Sequence, residues 1–341
     1  MKKVNIIQIG TTHEHAEGIM YTLRRMENEY NILGVVADDF CHTPTLKKEG
    51  WLQEGFKDIP RLSLAEALNH PEVDAYFVEV PNDDLIDVAE MCLATGKPMH
   101  MDKPAGRDLA RYKKLLDTTV QKNIPFQMGY MFRGNPAFMN LLELHKKGCF
   151  GEIVEVKSSM SHSYGGEEYQ HYAGKFKGGI MYILGCHMFD LIVSLMGEPD
   201  DVVPFLKSAP GDADHIENTT LAVLSYPHAT AVAHMTSRDP DGTPRRRFRL
   251  VGTKGTFELM PIERFDKKPL IARLFFNEDN EFYTAGEHIV DYGIITDRYS
   301  LQLAEFAGMV RGNTADSYSR EHDYLVHKIS LAASGVIKWE K

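Results

Sequence analysis

The spacing of apolar positions changes about 130 residues into the chain. Before that point, short β-rich runs at 4–9, 30–37, 74–80, 98–101 and 125–130 alternate with stretches whose apolar residues recur at helical spacing, at 14–28, 63–68, 84–95 and 108–122. Strands alternating with helices imply a parallel, doubly wound sheet. Beyond Arg133-Gly134-Asn135-Pro136 the pattern predicts a helix over 137–147, a strand over 152–157, a polar aromatic loop over 159–176 and an apolar helix over 179–196. Short alternating strands then follow at 219–224, 229–235, 247–251, 256–260 and 271–276, with helices at 298–310 and 320–333. Strands grouped in this way predict an α+β domain built on a large, mostly antiparallel open sheet. The expected division is an N-terminal Rossmann domain over 1–128 and a second α+β domain over 129–341.

Composition agrees with a folded chain of two domains: 341 residues, 43% hydrophobic and 25% charged. A formal charge of −10 argues against a nucleic-acid partner, and Arg245-Arg246-Arg247 borders a strand rather than forming a basic arm. The opening Lys2-Lys3 precedes an apolar run too short and broken for a signal peptide, and no apolar run approaches the roughly 20 residues of a membrane span. Cys41, Cys92, Cys149 and Cys186 have no paired spacing, so reduced thiols and a cytoplasmic setting are expected. The expected partner is a small molecule, with neither nucleic acid nor membrane involved.

The first strand ends in Gly10-Thr11-Thr12-His13-Glu14-His15, which keeps one glycine where a dinucleotide turn of the form G-x-G-x-x-G has three. Backbone N–H groups, the Thr11 and Thr12 hydroxyls and the helix N-terminus remain as phosphate donors. Asp38 ends the second strand, where an acid accepts hydrogen bonds from both ribose hydroxyls and repels a 2′-phosphate, so NAD is expected rather than NADP. Lys103, in Asp102-Lys103-Pro104, emerges at the end of the strand at 98–101. Ligands of open α/β sheets bind at such strand ends, and a lysine there can steady developing negative charge. In the second half, Gly185-Cys186-His187-Met188-Phe189-Asp190 offers His187 as an acid–base group. Tyr164 and Tyr172, in the polar aromatic stretch, suit a sugar. His162, His171 and His187 lack tight ligand spacing, and His13 and His15 read as cofactor-side polar groups, so no metal is expected.

Taken together, these motifs resemble those of the Gfo/Idh/MocA family of NAD(P)-dependent oxidoreductases. Met101-Asp102-Lys103-Pro104 resembles the family's E-K-P, Val80-Pro81-Asn82 its T-P-N, and residues 129–136 its G-F-N-R-R-F-D-P junction. Residues 185–190 match G-x-H-x-x-D, and Gly252-Thr253-Lys254-Gly255 matches G-T-x-G. The resemblance implies a cofactor held by Gly10, Thr11, Thr12, His13, Asp38, Pro81, Asn82, Asp102 and Lys103. It further implies Lys103 and His187 as the catalytic pair; the residues expected beside the substrate are Arg133, Tyr164, Tyr172 and His187. The expected reaction interconverts a secondary alcohol and a ketone on a sugar, cyclitol or glycoside. Beside the depleted glycine turn, two further departures keep other readings open. Ile183 stands where many members carry an aspartate four residues before the histidine, and Leu85 replaces a histidine after T-P-N. The alternatives are an enzyme that retains its NAD and oxidises its substrate transiently, and a non-catalytic dinucleotide-binding sensor or subunit. A sheet with one face free of helices would expose apolar surface, so a homodimer or homotetramer through that sheet is expected.

Overall fold

A computed structural model describes residues 2–42 and 53–341. The chain forms two compact units: residues up to Met131 together with Tyr299–His327, and Phe132–Arg298 together with Lys328–Lys341. The expected boundary at 128 thus lies close to the first crossing, but the second domain does not run unbroken to the C-terminus.

The first unit contains β1 (Val4–Ile9), β2 (Tyr30–Val36), β3 (Arg61–Leu62), β4 (Ala75–Val78), β5 (Met99–Met101) and β6 (Phe126–Met128) in the order β3-β2-β1-β4-β5-β6, every pair parallel. This is the doubly wound arrangement, whose order reverses between β1 and β4 and opens a ligand crevice at the strand C-termini. Its helices are α1 (Ala16–Arg25), α2 (Leu64–Leu68), α3 (Leu85–Ala94) and α4 (Leu109–Gln121). Ser63 caps α2 through a reciprocal box with Glu66, and the Asp108 side chain caps α4.

Specific contacts explain why residues 299–327 return to this unit. In the helix Ser300–Val310, Phe306 packs edge-on against Phe77 at 5.5 Å, and Gln302 Nε2 donates to the Met128 carbonyl at 2.6 Å. The Tyr30 hydroxyl donates to the Leu303 carbonyl. Leu303 and Phe306 are fully buried, so removing this helix would strip one face of the parallel sheet.

The second unit is organised on an eight-stranded sheet. Its strands are β7 (Ile153–Ser159), β8 (Asp201–Lys207), β9 (Thr219–Ser225), β10 (Thr230–Thr236), β11 (Arg247–Gly252), β12 (Gly255–Leu259), β13 (Ile271–Phe276) and β14 (Gly286–Asp291). The order is β14-β13-β12-β11-β7-β10-β9-β8, antiparallel except for the pair β7 and β10. Both strands missed by the hydrophobic pattern in this sheet, β8 and β14, lie at its edges. Pro204 is tolerated in β8 for that reason, and β14 turns Glu287, Ile289 and Asp291 outward. The outward face joins Lys157 to Glu155, Arg249 to Glu155 and Arg273 to Glu287 in ion pairs. Val203, Phe205, Ile271, Phe275 and Ile289 are the large apolar residues exposed on its outer strands.

Helices α5 (Pro136–Lys146), α6 (Gly166–Ala173) and α7 (Gly179–Met196) belong to the same unit. A loop was expected over 159–176, but Tyr169, Tyr172 and Ala173 recur at helical spacing and are buried together, while Glu167 and Glu168 occupy the first turn of α6. Helix α7 is long and apolar enough to cross a membrane by composition, with a mean hydropathy of 1.7, yet 89% of it is buried inside the fold. It is a core helix, apolar around its whole circumference. Its one acid, Asp190, accepts from Arg133 Nη2 at 2.7 Å and from Nε at 3.1 and 3.2 Å, and both side chains are almost completely buried.

Two stability predictions follow from this packing. Replacing Arg133 by Met, or Asp190 by Leu, leaves an unpaired buried charge and should cost about 3–5 kcal/mol in denaturant unfolding, whereas the double variant should recover most of the loss. Single losses that simply add would show that the pair is not coupled. His327 is fully buried with its ring edge-on to Tyr112 at 4.8 Å, and burial pushes it down from 6.5 to about 4. Between those values the unfolded chain takes up a proton that the folded chain does not, so stability falls as pH falls through that window. From pH 6.5 to 5 this group alone should cost ~2 kcal/mol. Unfolding measured at both pH values should show that loss removed in His327→Phe.

Candidate functional site

In the first unit the chemistry gathers at the C-terminal ends of β1, β4 and β5. Gly10 follows β1 at φ 103°, and a Cβ there would lie 2.4 Å from the Glu79 carbonyl, so only glycine lets β1 pass so close to the chain leaving β4. Gln8 braces the turn, its Nε2 donating to the carbonyls of Gly10 and Ala16 at 3.0 and 3.1 Å. Asp38 Oδ2 accepts the Thr11 N–H at 2.8 Å and the Thr11 hydroxyl at 2.7 Å. Burial raises the Asp38 carboxyl above its ordinary range, and the Thr11 bonds oppose that. The Thr11 groups expected to face phosphate are therefore turned onto Asp38.

Asp102 and Lys103 follow β5 and are each 1% exposed. Asp102 Oδ1 accepts the Lys103 backbone N–H at 2.6 Å, and His13 Nε2 donates to the Lys103 carbonyl at 3.1 Å. The lysine's backbone is thus held on both sides of its Cα. His15 Nδ1 lies 2.9 Å from Asp102 Oδ2 and His13 Nδ1 lies 3.1 Å from it. Burial alone would raise the Asp102 carboxyl, but His13 and His15 outweigh it and hold the group well below the usual range. Glu79 moves the opposite way: burial, then the neighbouring Asp102 charge, push it well above the usual range. The two carboxyls are thus driven apart, Asp102 toward its charged form and Glu79 toward its neutral one. Burial lowers His15 to about 3, Lys103 adding to the effect and Asp102 opposing it. His15 is accordingly a neutral donor to Asp102.

His13, expected on the cofactor side, is instead buried and turned toward Asp102. Glu79 was not foreseen as a site residue; its signal was a charged residue inside the otherwise apolar run before Pro81. A dinucleotide fits what remains. Asn82, 3% exposed, has a side-chain oxygen with no hydrogen bond among the described residues, and the Gly10 turn brings bare backbone to the crevice. Gly10, Thr12, Asp38, Pro81 and Asn82 would hold it.

In the second unit His187 lies on α7, 1% exposed, with the Phe132 ring edge-on at 5.7 Å. Ile183, one turn earlier, is fully buried, so apolar packing occupies the place of the aspartate. Arg133, expected beside a substrate, has its guanidinium engaged by Asp190. Tyr164 is exposed and stacks on His162 at 3.5 Å, while Tyr169 meets His162 edge-on at 5.0 Å. Tyr172 is buried and packs on Phe176, which stacks on Tyr182 of α7. His162 is fully buried, and burial, then Arg246, lower it to about 3. It is a neutral imidazole, which the sequence pattern offered only as a metal ligand without ligand spacing.

Comparison with known proteins accords with this architecture. A family model described as an oxidoreductase family with an NAD-binding Rossmann fold matches residues 9–130, and one for the GFO/IDH/MocA C-terminal domain matches 138–258. The uncharacterised oxidoreductase YhhX of Escherichia coli is 29% identical over 194 residues, 57% of this chain and 55% of that protein. Inositol 2-dehydrogenase of Rhizobium meliloti is 25% identical over 190 residues, 54% of this chain and 56% of that protein. The chain spans about half the length of the curated relatives it matches. A crystal structure of a putative oxidoreductase from Erwinia carotovora superposes with a TM-score of 0.79 at 18% identity, covering 98% of this chain and 99% of that one, a likeness of fold. With both family models matched in order along a doubly wound unit and an open-sheet unit, the chain belongs to the Gfo/Idh/MocA family.

Proposed function

We propose that this protein is an NAD-dependent oxidoreductase that interconverts a secondary alcohol and a ketone on a sugar, cyclitol or glycoside. The observation that carries the reading is Lys103: a buried lysine at a strand C-terminus of a doubly wound sheet, its backbone held by Asp102 and His13. Bound NAD supplies the hydride acceptor. In this reading Lys103 binds the reacting hydroxyl and stabilises the oxygen as its charge develops, while His187 takes up the proton. The exposed Tyr164, backed by the buried His162 on which it stacks, supports a polyhydroxylated substrate, since its outer ring face suits C–H groups and its hydroxyl suits hydroxyls. The relative named inositol 2-dehydrogenase points to the same class. Asp38 supports NAD, because its carboxylate would repel a 2′-phosphate. The exposed Val203, Phe205, Phe275 and Ile289 support self-association through the outward face of the second sheet.

Lys103→Ala should lower turnover by roughly 10²–10⁴-fold while NAD binding, measured by calorimetry, stays largely intact. Undiminished turnover in that variant would overturn the assignment of Lys103. Failure of the wild-type protein to bind NAD(H) would reject the enzymatic reading altogether. Binding without turnover on a panel of polyols and sugars would favour the sensor, and NAD-dependent conversion without release of NADH would favour a retained cofactor. Asp38→Ala removes a carboxylate acceptor and should weaken NAD by about tenfold or more, leaving NADP less affected. An unchanged ratio of the two affinities would show that Asp38 does not select between them.

A further inference from the structure

One ligating atom from each of His13, His15 and Asp102 lies within 4.8 Å of the other two. A fourth group stands beside them, with Glu79 Oε2 3.8 Å from His13 Nδ1. The surrounding hydrogen bonds decide what these atoms carry. His13 Nε2 faces the Lys103 carbonyl at 3.1 Å and must therefore hold the ring's N–H. His13 Nδ1 accepts the backbone N–H of His15 at 3.2 Å, so it presents a lone pair. The same nitrogen lies 3.1 Å from the Asp102 carboxylate, and a metal ion there would take the lone pair over from the His15 N–H. With Nδ1 unprotonated, two acceptors face each other at that distance, a contact that a proton on Nδ1 or a metal cation between them turns favourable. Neither Glu79 oxygen, fully buried beside them, receives a hydrogen bond from a described N–H or O–H group.

The outer contacts are those of a metal-ligating set. A ligand histidine characteristically anchors its far N–H on a carbonyl, as His13 does, and a ligand carboxylate is itself hydrogen-bonded, as Asp102 is by the Lys103 N–H. We propose that His13 Nδ1, His15 Nδ1 and the Asp102 carboxylate bind a divalent transition-metal ion, with Glu79 supplying a further oxygen. Two imidazoles and carboxylate oxygens suit zinc and its neighbours rather than calcium or magnesium, which take all-oxygen sites. The ion replaces the proton through which His15 now donates to Asp102, and binding therefore releases protons. His15, 11% exposed, marks the side from which the ion enters. It stands where the third glycine of a dinucleotide turn would be, so the departure from the glycine pattern is also what creates the site. Occupied, the site ties the turn after β1 to the loop after β5 and fixes the backbone of Lys103.

The test uses tag-free full-length protein, stripped with a chelator and titrated with Zn²⁺ by calorimetry and with Co²⁺ by visible absorption, in the absence of dinucleotide. About one equivalent per chain should bind, with Co²⁺ d–d bands of a nitrogen- and oxygen-ligated ion. His15→Asn and Asp102→Asn should each weaken Zn²⁺ by more than about 100-fold, since loss of an outer-sphere partner already costs 10–100-fold, while His228→Asn, at an exposed histidine, leaves binding unchanged. Unaltered affinity in His15→Asn, or no Zn²⁺ bound by the wild type, would overturn the proposal. Should the variants misfold by circular dichroism, paramagnetically shifted ring resonances of exactly two histidines in the Co²⁺-loaded wild type decide it, and their absence overturns it. NAD binding is measured separately, so neither result depends on the other.

Discussion

The first unit turns on one buried carboxylate. Asp102 sits where two strand ends and the glycine turn converge, and in that low-dielectric setting an ionised acid needs several partners to stay charged. It finds them in His13, His15 and the Lys103 N–H, each from a segment that no regular ladder holds. The same charge, acting on an already buried Glu79, pushes that carboxyl toward its neutral form. The orientation of Lys103 depends on this arrangement, because its N–H and carbonyl are both used within it. A chain in which Asp102 were neutral would lose the reason for both histidines to turn inward.

The second unit depends on a comparable but separate pairing. Helix α7 is buried on every side, and Asp190 is its one acid. The engagement of that carboxylate by Arg133 ties the helix, three residues after His187, to the segment that opens this unit. With Ile183 packed on the preceding turn, no carboxylate one turn before the histidine modulates its ring. The aromatic series Tyr164, Tyr169, Tyr172, Phe176 and Tyr182 links α6 to α7, which explains why a stretch that looks like a polar loop folds as a helix.

Much of this was legible in the order of residues. Apolar runs bounded by Gly10, Asp38, Pro81 and Asp102 marked the parallel strands, because burial on both faces leaves no alternation to confuse with a helix. Edge strands were the exception: β8 carries a proline and β14 alternates with charges, and both depend on a neighbour that sequence spacing cannot supply. Lys103 and His187 were visible as chemistry, while Glu79 was hidden as a single polar residue in an apolar run and His162 was one polar residue among many in the 159–176 stretch. The return of 299–327 to the first unit was likewise invisible, since it is encoded by Phe306 meeting Phe77 across more than two hundred residues.

Local order by itself determined the succession of strands and helices, the change from parallel to antiparallel pairing, and the strand-end placement of Lys103, because hydrophobic period and turn residues act over a few positions. Only the tertiary structure decided which way the polar groups face. Thr11 turns to Asp38, His13 to Asp102 and Arg133 to Asp190, because each charge, once buried, must take whichever partner the fold brings within reach.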